Sequence, residues 1–340
     1  MKKLTIILGV LAVLLVAGLY VTRVRTPRIE NQNGESVPGA VASLEPVELG
    51  GREQWILIRG HSTSNPLLLF LHGGPGMPMM YMAHVFGHGL EQDFLVVHWD
   101  QRGAGKSYDP DLPVETMNVE QFLSDTHELV RRLTRRFGHE RIYLAGHSWG
   151  SYLGTLYAAR HPERLHAYIG IGQVVDERRA TEIADAFIRR RARETGDEEA
   201  LAELNDQGAA AREKWLFRFG GELYHHTNWT PFLLAGLFAP EYSLTDAVNV
   251  GRGSSFSSRH MNFNAIDGPL IEEVTRLEVP VYFFQGRHDF VTPAVLVEEY
   301  HARLEAPAKD IVWFDDSAHF PFFEQPQRFT AEMRRLLAER

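Results

Sequence analysis

Seven short apolar runs punctuate the chain, at residues 54–58, 67–71, 94–99, 142–145, 167–171, 281–284 and 311–314. Each is bounded by turn-forming residues. Continuous apolar runs of this length suit parallel strands covered on both faces. Between them the apolar positions take a helical period. Val119, Phe122, Leu123, Thr126, Leu129, Val130 and Leu133 form one stripe, with Asn118 placed to cap it and Gln121 three residues on. Strands alternating with helices predict a mostly parallel, doubly wound α/β sheet.

From about Val174 to Asp267 the strand pattern stops. Ala180, Ile183, Ala184, Phe187 and Ile188 follow helical spacing, and the stretch 215–242 is rich in Trp, Phe and Tyr. This predicts a helical cap with a small core of its own, inserted over the carboxyl edge of the sheet, with some aromatics facing a substrate pocket. The expected organisation is an anchor at 1–25, a linker at 26–46, an α/β core in two parts at 47–173 and 268–340, and the cap at 174–267. The linker assignment rests on the Pro, Gly, Asn and Glu content of 26–46.

The amino terminus changes the picture. Residues 4–22 are nineteen positions without a charge, preceded by Lys2 and Lys3 and ended by Arg23, Arg25 and Arg28. As a helix this run spans roughly 28 Å, close to the hydrocarbon core of a bilayer. A single-pass transmembrane anchor with the catalytic domain exported, periplasmic or extracellular, is the expectation. Secretion after signal cleavage is the alternative, but the run is longer than a usual signal core and no small-x-small site follows Gly18.

A net charge of −9 with no basic patch argues against a nucleic-acid partner. The absence of cysteine removes disulfides, thiolate metal sites and a thiol nucleophile. No HExxH-type spacing indicates a metal, and no G-x-G-x-x-G opens a helix after the first strands, so no cofactor is expected. Gly105-Lys106-Ser107 resembles the end of a phosphate-binding loop, but position 100 is Asp where that loop needs Gly. The segment reads instead as a buried loop in which Asp100 and Arg102 pair.

The chemistry concentrates in Gly146-His147-Ser148-Trp149-Gly150. The motif follows an apolar strand and precedes Tyr152, Leu153, Leu156 and Tyr157 at helical spacing. That is the strand–turn–helix setting in which G-x-S-x-G holds a nucleophilic serine. Small residues two positions either side allow the tight turn. A helix N-terminus beside Ser148 favours an oxyanion. His72-Gly73-Gly74-Pro75-Gly76 follows the strand at 67–71, where glycine lets backbone approach a substrate oxygen. The expected oxyanion hole is the N–H of Trp149 with that of Gly74, and His72 is expected to be structural.

A serine nucleophile needs a base and an orienting acid, in the chain order Ser, Asp or Glu, His. Of sixteen histidines, His319 is selected by its loop directly after the last strand. Asp289 lies in the loop after the strand at 281–284, on the same sheet edge. Asp315 and Asp316 are rivals, but too close in sequence to reach around to the imidazole.

Together with Trp99-Asp100-Gln101-Arg102-Gly103-Ala104-Gly105-Lys106-Ser107 and His161-Pro162-Glu163-Arg164, these motifs resemble the proline iminopeptidase family of α/β-hydrolases. The resemblance spans roughly 45–175 and 275–335 and implies the triad Ser148, Asp289 and His319. It also implies cap glutamates that hold a substrate's α-amino group, one of them after a tryptophan; here Leu216 follows Trp215. Glu177, Glu182, Glu222 and Glu241 are the available cap glutamates, with Glu222 the first choice and Glu177 next. The expected activity is a serine hydrolase releasing amino-terminal residues from short peptides. An esterase or amidase acting on small acyl substrates, and a non-enzymatic receptor or scaffold, are the alternatives.

Overall fold

The computed structural model describes residues 18, 24–31, 33–87, 89–261 and 269–338. Eight strands form one sheet: β1 (Val41–Leu49), β2 (Arg52–Gly60), β3 (Leu67–Leu71), β4 (Leu95–Asp100), β5 (Ile142–Ser148), β6 (Leu165–Gln173), β7 (Val281–Gly286) and β8 (Lys309–Phe314). Their spatial order is β1-β2-β4-β3-β5-β6-β7-β8. The β1–β2 and β2–β4 pairs are antiparallel, and every other pair is parallel. The carboxyl ends of β5, β7 and β8 therefore share one edge, which brings the loops bearing Ser148, Asp289 and His319 together.

Residues within a strand divide between two cores. Leu67, Leu69 and Leu71 of β3 face one, Leu68 and Phe70 the other. Helices α1 (Val119–Phe137), α2 (Trp149–Arg160) and α8 (Ala294–Arg303) cover the first face, and α9 (Pro326–Ala338) covers part of the second. Burial on both faces is why the strands read as unbroken apolar runs. Asn118 caps α1 as expected, its side chain accepting the Gln121 N–H at 2.9 Å.

Between β6 and β7 lie α3 (Glu177–Thr195), α4 (Glu198–Gln207), α5 (Ala209–Arg218), α6 (Thr230–Leu237) and α7 (Leu244–His260). Phe187, Ile188, Leu204, Trp215 and Leu216 give this insertion its own core.

Two expectations meet the structure differently, and a third lies outside the described residues. Residues 26–46 are no free linker: β1 begins at Val41, Ile29 is buried, and Arg59 Nη1 holds the Thr26 hydroxyl and, at 2.6 Å, the Pro27 carbonyl. β1 is a half-exposed edge strand, where Pro46 costs no central ladder bond. Asp100 and Arg102 do not pair. Two positions apart, they diverge: Arg102 grips Asp125 of α1 at 2.8 and 3.0 Å, while Asp100 takes the Tyr242 hydroxyl and the Lys106 N–H. No helix among the described residues is long and apolar enough to cross a membrane, and the expected anchor at 4–22 lies outside them apart from Gly18.

Candidate active site

Ser148 closes β5 and directly precedes α2. Its φ of 52° makes it the one non-glycine residue at positive φ among those described. Such backbone is costly and persists only where the surroundings over-determine it. Those surroundings are glycines. A Cβ at Gly146 would lie 2.2 Å from the Gly150 carbonyl oxygen, and one at Gly150 would lie 2.1 Å from that of Leu71. The turn thus projects Ser148 at the sheet's edge, with Trp149 in the first turn of α2, at the positive end of the helix dipole.

The 73–77 loop faces Ser148. A Cβ at Gly73 would come within 3.1 Å of the Ser148 Cβ, and Gly74 has a φ of 110°. His72 braces this loop. Its Nδ1–H donates to the Gly73 carbonyl at 2.9 Å, and its Nε2 accepts the Gln101 N–H at 3.0 Å. Burial holds its pKa down to about 4, so it is a neutral strut, as expected from sequence.

His319 Nδ1 lies 2.9 Å from Asp289 Oδ2, which assigns the Nδ1 proton to that contact and leaves Nε2 as the acceptor nitrogen. Asp289 is itself fully engaged. Oδ1 accepts the N–H groups of Val291 and Thr292 at 2.9 and 2.8 Å; Oδ2 accepts the Thr292 hydroxyl at 2.7 Å and the Gln285 amide at 3.0 Å. Both residues are buried. Gly172 leaves the space for the imidazole, since a Cβ there would sit 2.8 Å from His319 Nδ1. His147, kept neutral by burial and by the neighbouring His319, donates through Nε2 to the His319 carbonyl at 2.9 Å. The rival acids lie at the surface: Asp315 pairs with Arg287 and Arg328, and Asp316 is exposed.

Ser148 and His319 line one cavity of about 260 Å³, with Gly73, Gly74, Glu213 and Glu222. The insertion is stitched to this site through its backbone. The Gly221 carbonyl accepts the Phe290 N–H at 2.9 Å, and the Glu222 carbonyl accepts the His319 N–H at 3.0 Å. Glu222 is thereby held in the cavity wall. Burial, then Glu213 and Asp289, push its carboxyl well above the usual carboxylate range. No side-chain hydrogen bond to it is formed among the described residues.

Glu177, at the start of α3, lines a second cavity of about 430 Å³ that also reaches Ser148 and Gly74. It opens to solvent by surface area, yet it is recessed enough for desolvation to raise its carboxyl, against the charges of Arg212 and His319. Glu182 pairs with Arg178 on the surface, and Glu241 is buried against His84 at 2.6 Å, so neither reaches Ser148. Glu213 is the residue that motif reading passed over. It lies on α5 three positions before Leu216, on the neighbouring part of the same helix face. Helical periodicity around Trp215 is the one signal in the sequence that could have found it. No group of three or more His, Asp or Glu suited to a metal occurs among the described residues.

A strained serine at a helix N-terminus, a glycine loop facing it and a carboxylate-held histidine on the same edge form the constellation for acyl transfer. A family model for the alpha/beta hydrolase fold matches residues 66–326. The chain belongs to the α/β-hydrolase fold family. This α/β-hydrolase is 33% identical over 307 residues to the probable aminopeptidase YbaC of Bacillus subtilis (strain 168), covering 87% of this chain and 96% of that protein. The proline iminopeptidase of Heyndrickxia coagulans is 24% identical over 294 residues, 83% of this chain and 93% of its own. In fold it resembles the crystal structure of the Mycobacterium smegmatis proline iminopeptidase, with a TM-score of 0.66 and 22% identity over 87% of this chain and 98% of that one. It is a proline iminopeptidase-like hydrolase, serine-type by family, and the reading as a non-enzymatic receptor or scaffold is set aside.

Proposed function

We propose that this α/β-hydrolase is an aminopeptidase that cleaves short peptides through an acyl-enzyme on Ser148. The observation that carries the reading is Glu222: a buried carboxyl with no side-chain hydrogen bond among the described residues, in the wall of the cavity that holds Ser148 and His319. A buried acid in that state is stabilised by a bound cation. A free α-ammonium group supplies one, with Glu213 adding a second negative charge across the same cavity. Ser148 Oγ attacks the carbonyl of the first residue while His319 Nε2 takes its proton, and the backbone N–H groups of Trp149 and Gly74 receive the oxyanion. Asp289 holds the imidazole that becomes charged. His319 then returns the proton to the leaving amine, and water repeats the sequence on the ester.

The test pairs two measurements on the full chain. A fluorophosphonate probe should label Ser148, and aminoacyl anilides with a free amino group should be cleaved about tenfold to a hundredfold faster than their N-acetylated forms, the worth of one charge-assisted contact. Equal rates on the two substrates reject the aminopeptidase reading. An esterase reading has its own support in Met77, Tyr81, Trp229 and Phe232, which give the cavity an apolar side suited to an acyl chain. It gains if simple acyl esters outrun both anilides.

We also propose that residues 4–22 anchor the chain in a membrane, with the catalytic domain exported. The support is the uncharged apolar run, long enough to span, and the basic residues that end it. Full-length protein that pellets with membranes and resists carbonate extraction bears this out; recovery of a soluble form beginning near residue 20 favours cleavage instead.

A further inference from the structure

Residues 223–240 contain no Asp, Glu, Lys or Arg. Leu223, Phe232 and Ala239 of this stretch are buried, yet several of its large apolar side chains stand outside. Leu233 is 72% exposed, Phe238 68% and Leu234 49%; Val248 of α7 is 53% exposed. The exposed residues are contiguous with buried ones. Leu233 lines a hollow of about 280 Å³ with Trp229, Phe232 and Tyr242, and Leu234 lines another with Phe238. Contiguous apolar surface on this scale marks a place where something other than water sits.

What sits there follows from where the chain comes in. The Arg25 N–H donates to the Pro240 carbonyl at 3.2 Å, and Pro27 lines the same hollow as Leu234 and Phe238. The last residue of the apolar run, at position 22, is three residues before Arg25. Three residues of extended chain reach about 10 Å. If 4–22 spans a bilayer, the bilayer surface passes close to Pro240, beside the apolar face of α6. Arg25 and Arg28 then lie at headgroup level, and Trp229, half-exposed at the edge of the patch, is of the residue type that favours that level.

We infer that the exposed face formed by α6, the 238–240 segment and the start of α7 docks on the lipid surface. The inference rests on the anchor reading of residues 4–22. The docked face shares Trp229 and Phe232 with the Ser148 cavity, so docking sets that cavity close above the headgroups.

The chain has no cysteine, so single cysteines can be placed without competition. Leu233→Cys, Phe238→Cys and, on the opposite sheet face, Arg135→Cys are made in the full chain and labelled with a nitrobenzoxadiazole dye. The protein is reconstituted into phosphatidylethanolamine–phosphatidylglycerol vesicles containing a lipid with a headgroup-proximal nitroxide. Quenching at 233 and 238 should exceed that at 135 by about threefold or more. In a chain that also carries Phe238→Glu and Val248→Glu, the label at 233 should lose this excess while flotation with the vesicles is kept. Flotation with quenching at 233 and 238 no greater than at 135 overturns the docking and leaves the anchor standing. Failure to float overturns both. Dyes at 233 and 238 that are shielded from water but untouched by the lipid nitroxide also overturn it, and assign the face to a second copy or to residues 4–22 folded back.

Discussion

The backbone N–H of His319 donates to the carbonyl of Glu222 at 3.0 Å. One bond thus couples the loop that carries His319, the proposed general base, to the residue that would read the substrate's amino group. Positioning by backbone leaves the Glu222 side chain replaceable without moving His319. Glu222→Gln should therefore cut the preference for free over N-acetylated aminoacyl substrates by about tenfold to a hundredfold, with fluorophosphonate labelling of Ser148 unchanged. An unaltered preference removes Glu222 from the site.

The same carboxyl carries a signature in pH. Its affinity for protons is raised by burial and by Glu213 and Asp289. As pH falls through that raised value Glu222 becomes neutral and loses its attraction for an ammonium group. KM for free aminoacyl substrates should rise on acidification, and KM for N-acetylated ones should not. A parallel rise in both counts against it.

Stability should move the opposite way. The folded state keeps the Glu222 proton to higher pH than the unfolded chain does. That contribution is complete below the ordinary carboxylate range and is lost as pH rises through the raised value. Glu222→Gln should accordingly raise Tm at pH 8 by about 2–4 °C and leave it unchanged near pH 4. A lower Tm at pH 8 shows the carboxylate to be stabilising where it stands.

Asp289→Asn should lower kcat by about 10⁴-fold, because an amide neither fixes the Nδ1 tautomer nor offsets the imidazolium charge. Asp315→Asn, whose side chain pairs with Arg287 and Arg328 at the surface, should leave kcat within about twofold. The reverse ranking transfers the role to Asp315.

Gly172 offers a steric test of the base. A methyl at this position would sit 2.8 Å from His319 Nδ1, on backbone at φ 53°. Gly172→Ala should lower kcat by about 10²-fold, the scale of an ångström's misplacement, while the protein still folds. Gly196→Ala has the backbone strain without a neighbour within 4 Å, and should cost stability but leave kcat alone.

The sheet was legible because strands buried on both faces leave unbroken apolar words, as β3 to β7 do; the antiparallel β2 and the half-buried edge strand β8 still carry apolar runs of their own. β1 escaped for the same reason in reverse. An edge strand needs no continuous apolar run, and Pro46 and the glutamates of 45 and 48 gave it the composition of a loop. Ser148, Asp289 and His319 were readable from what precedes each of them, a strand end. Charge pairing was not, because it ignores sequence proximity: Arg102 passes over Asp100 two positions away to reach Asp125, twenty-three along. Glu213 stayed hidden for a similar reason. The wall of the cavity is built from helix faces, and a face is a period rather than a motif.

The clasp of Arg59 on Thr26 and Pro27 has a statistical consequence. Were residues 26–46 a flexible coil, its ends would be separated by a fluctuating distance of roughly 25 Å. Whatever precedes the domain would then hold it as a balloon is held by a string. Laid along the protein instead, with Arg59 itself pinned by Glu91 at 2.7 Å, the segment delivers the chain to one spot beside Pro240. The segment is a seam rather than a leash: the point at which the chain at residue 25 meets the domain is a single place on its surface, not a cloud of positions.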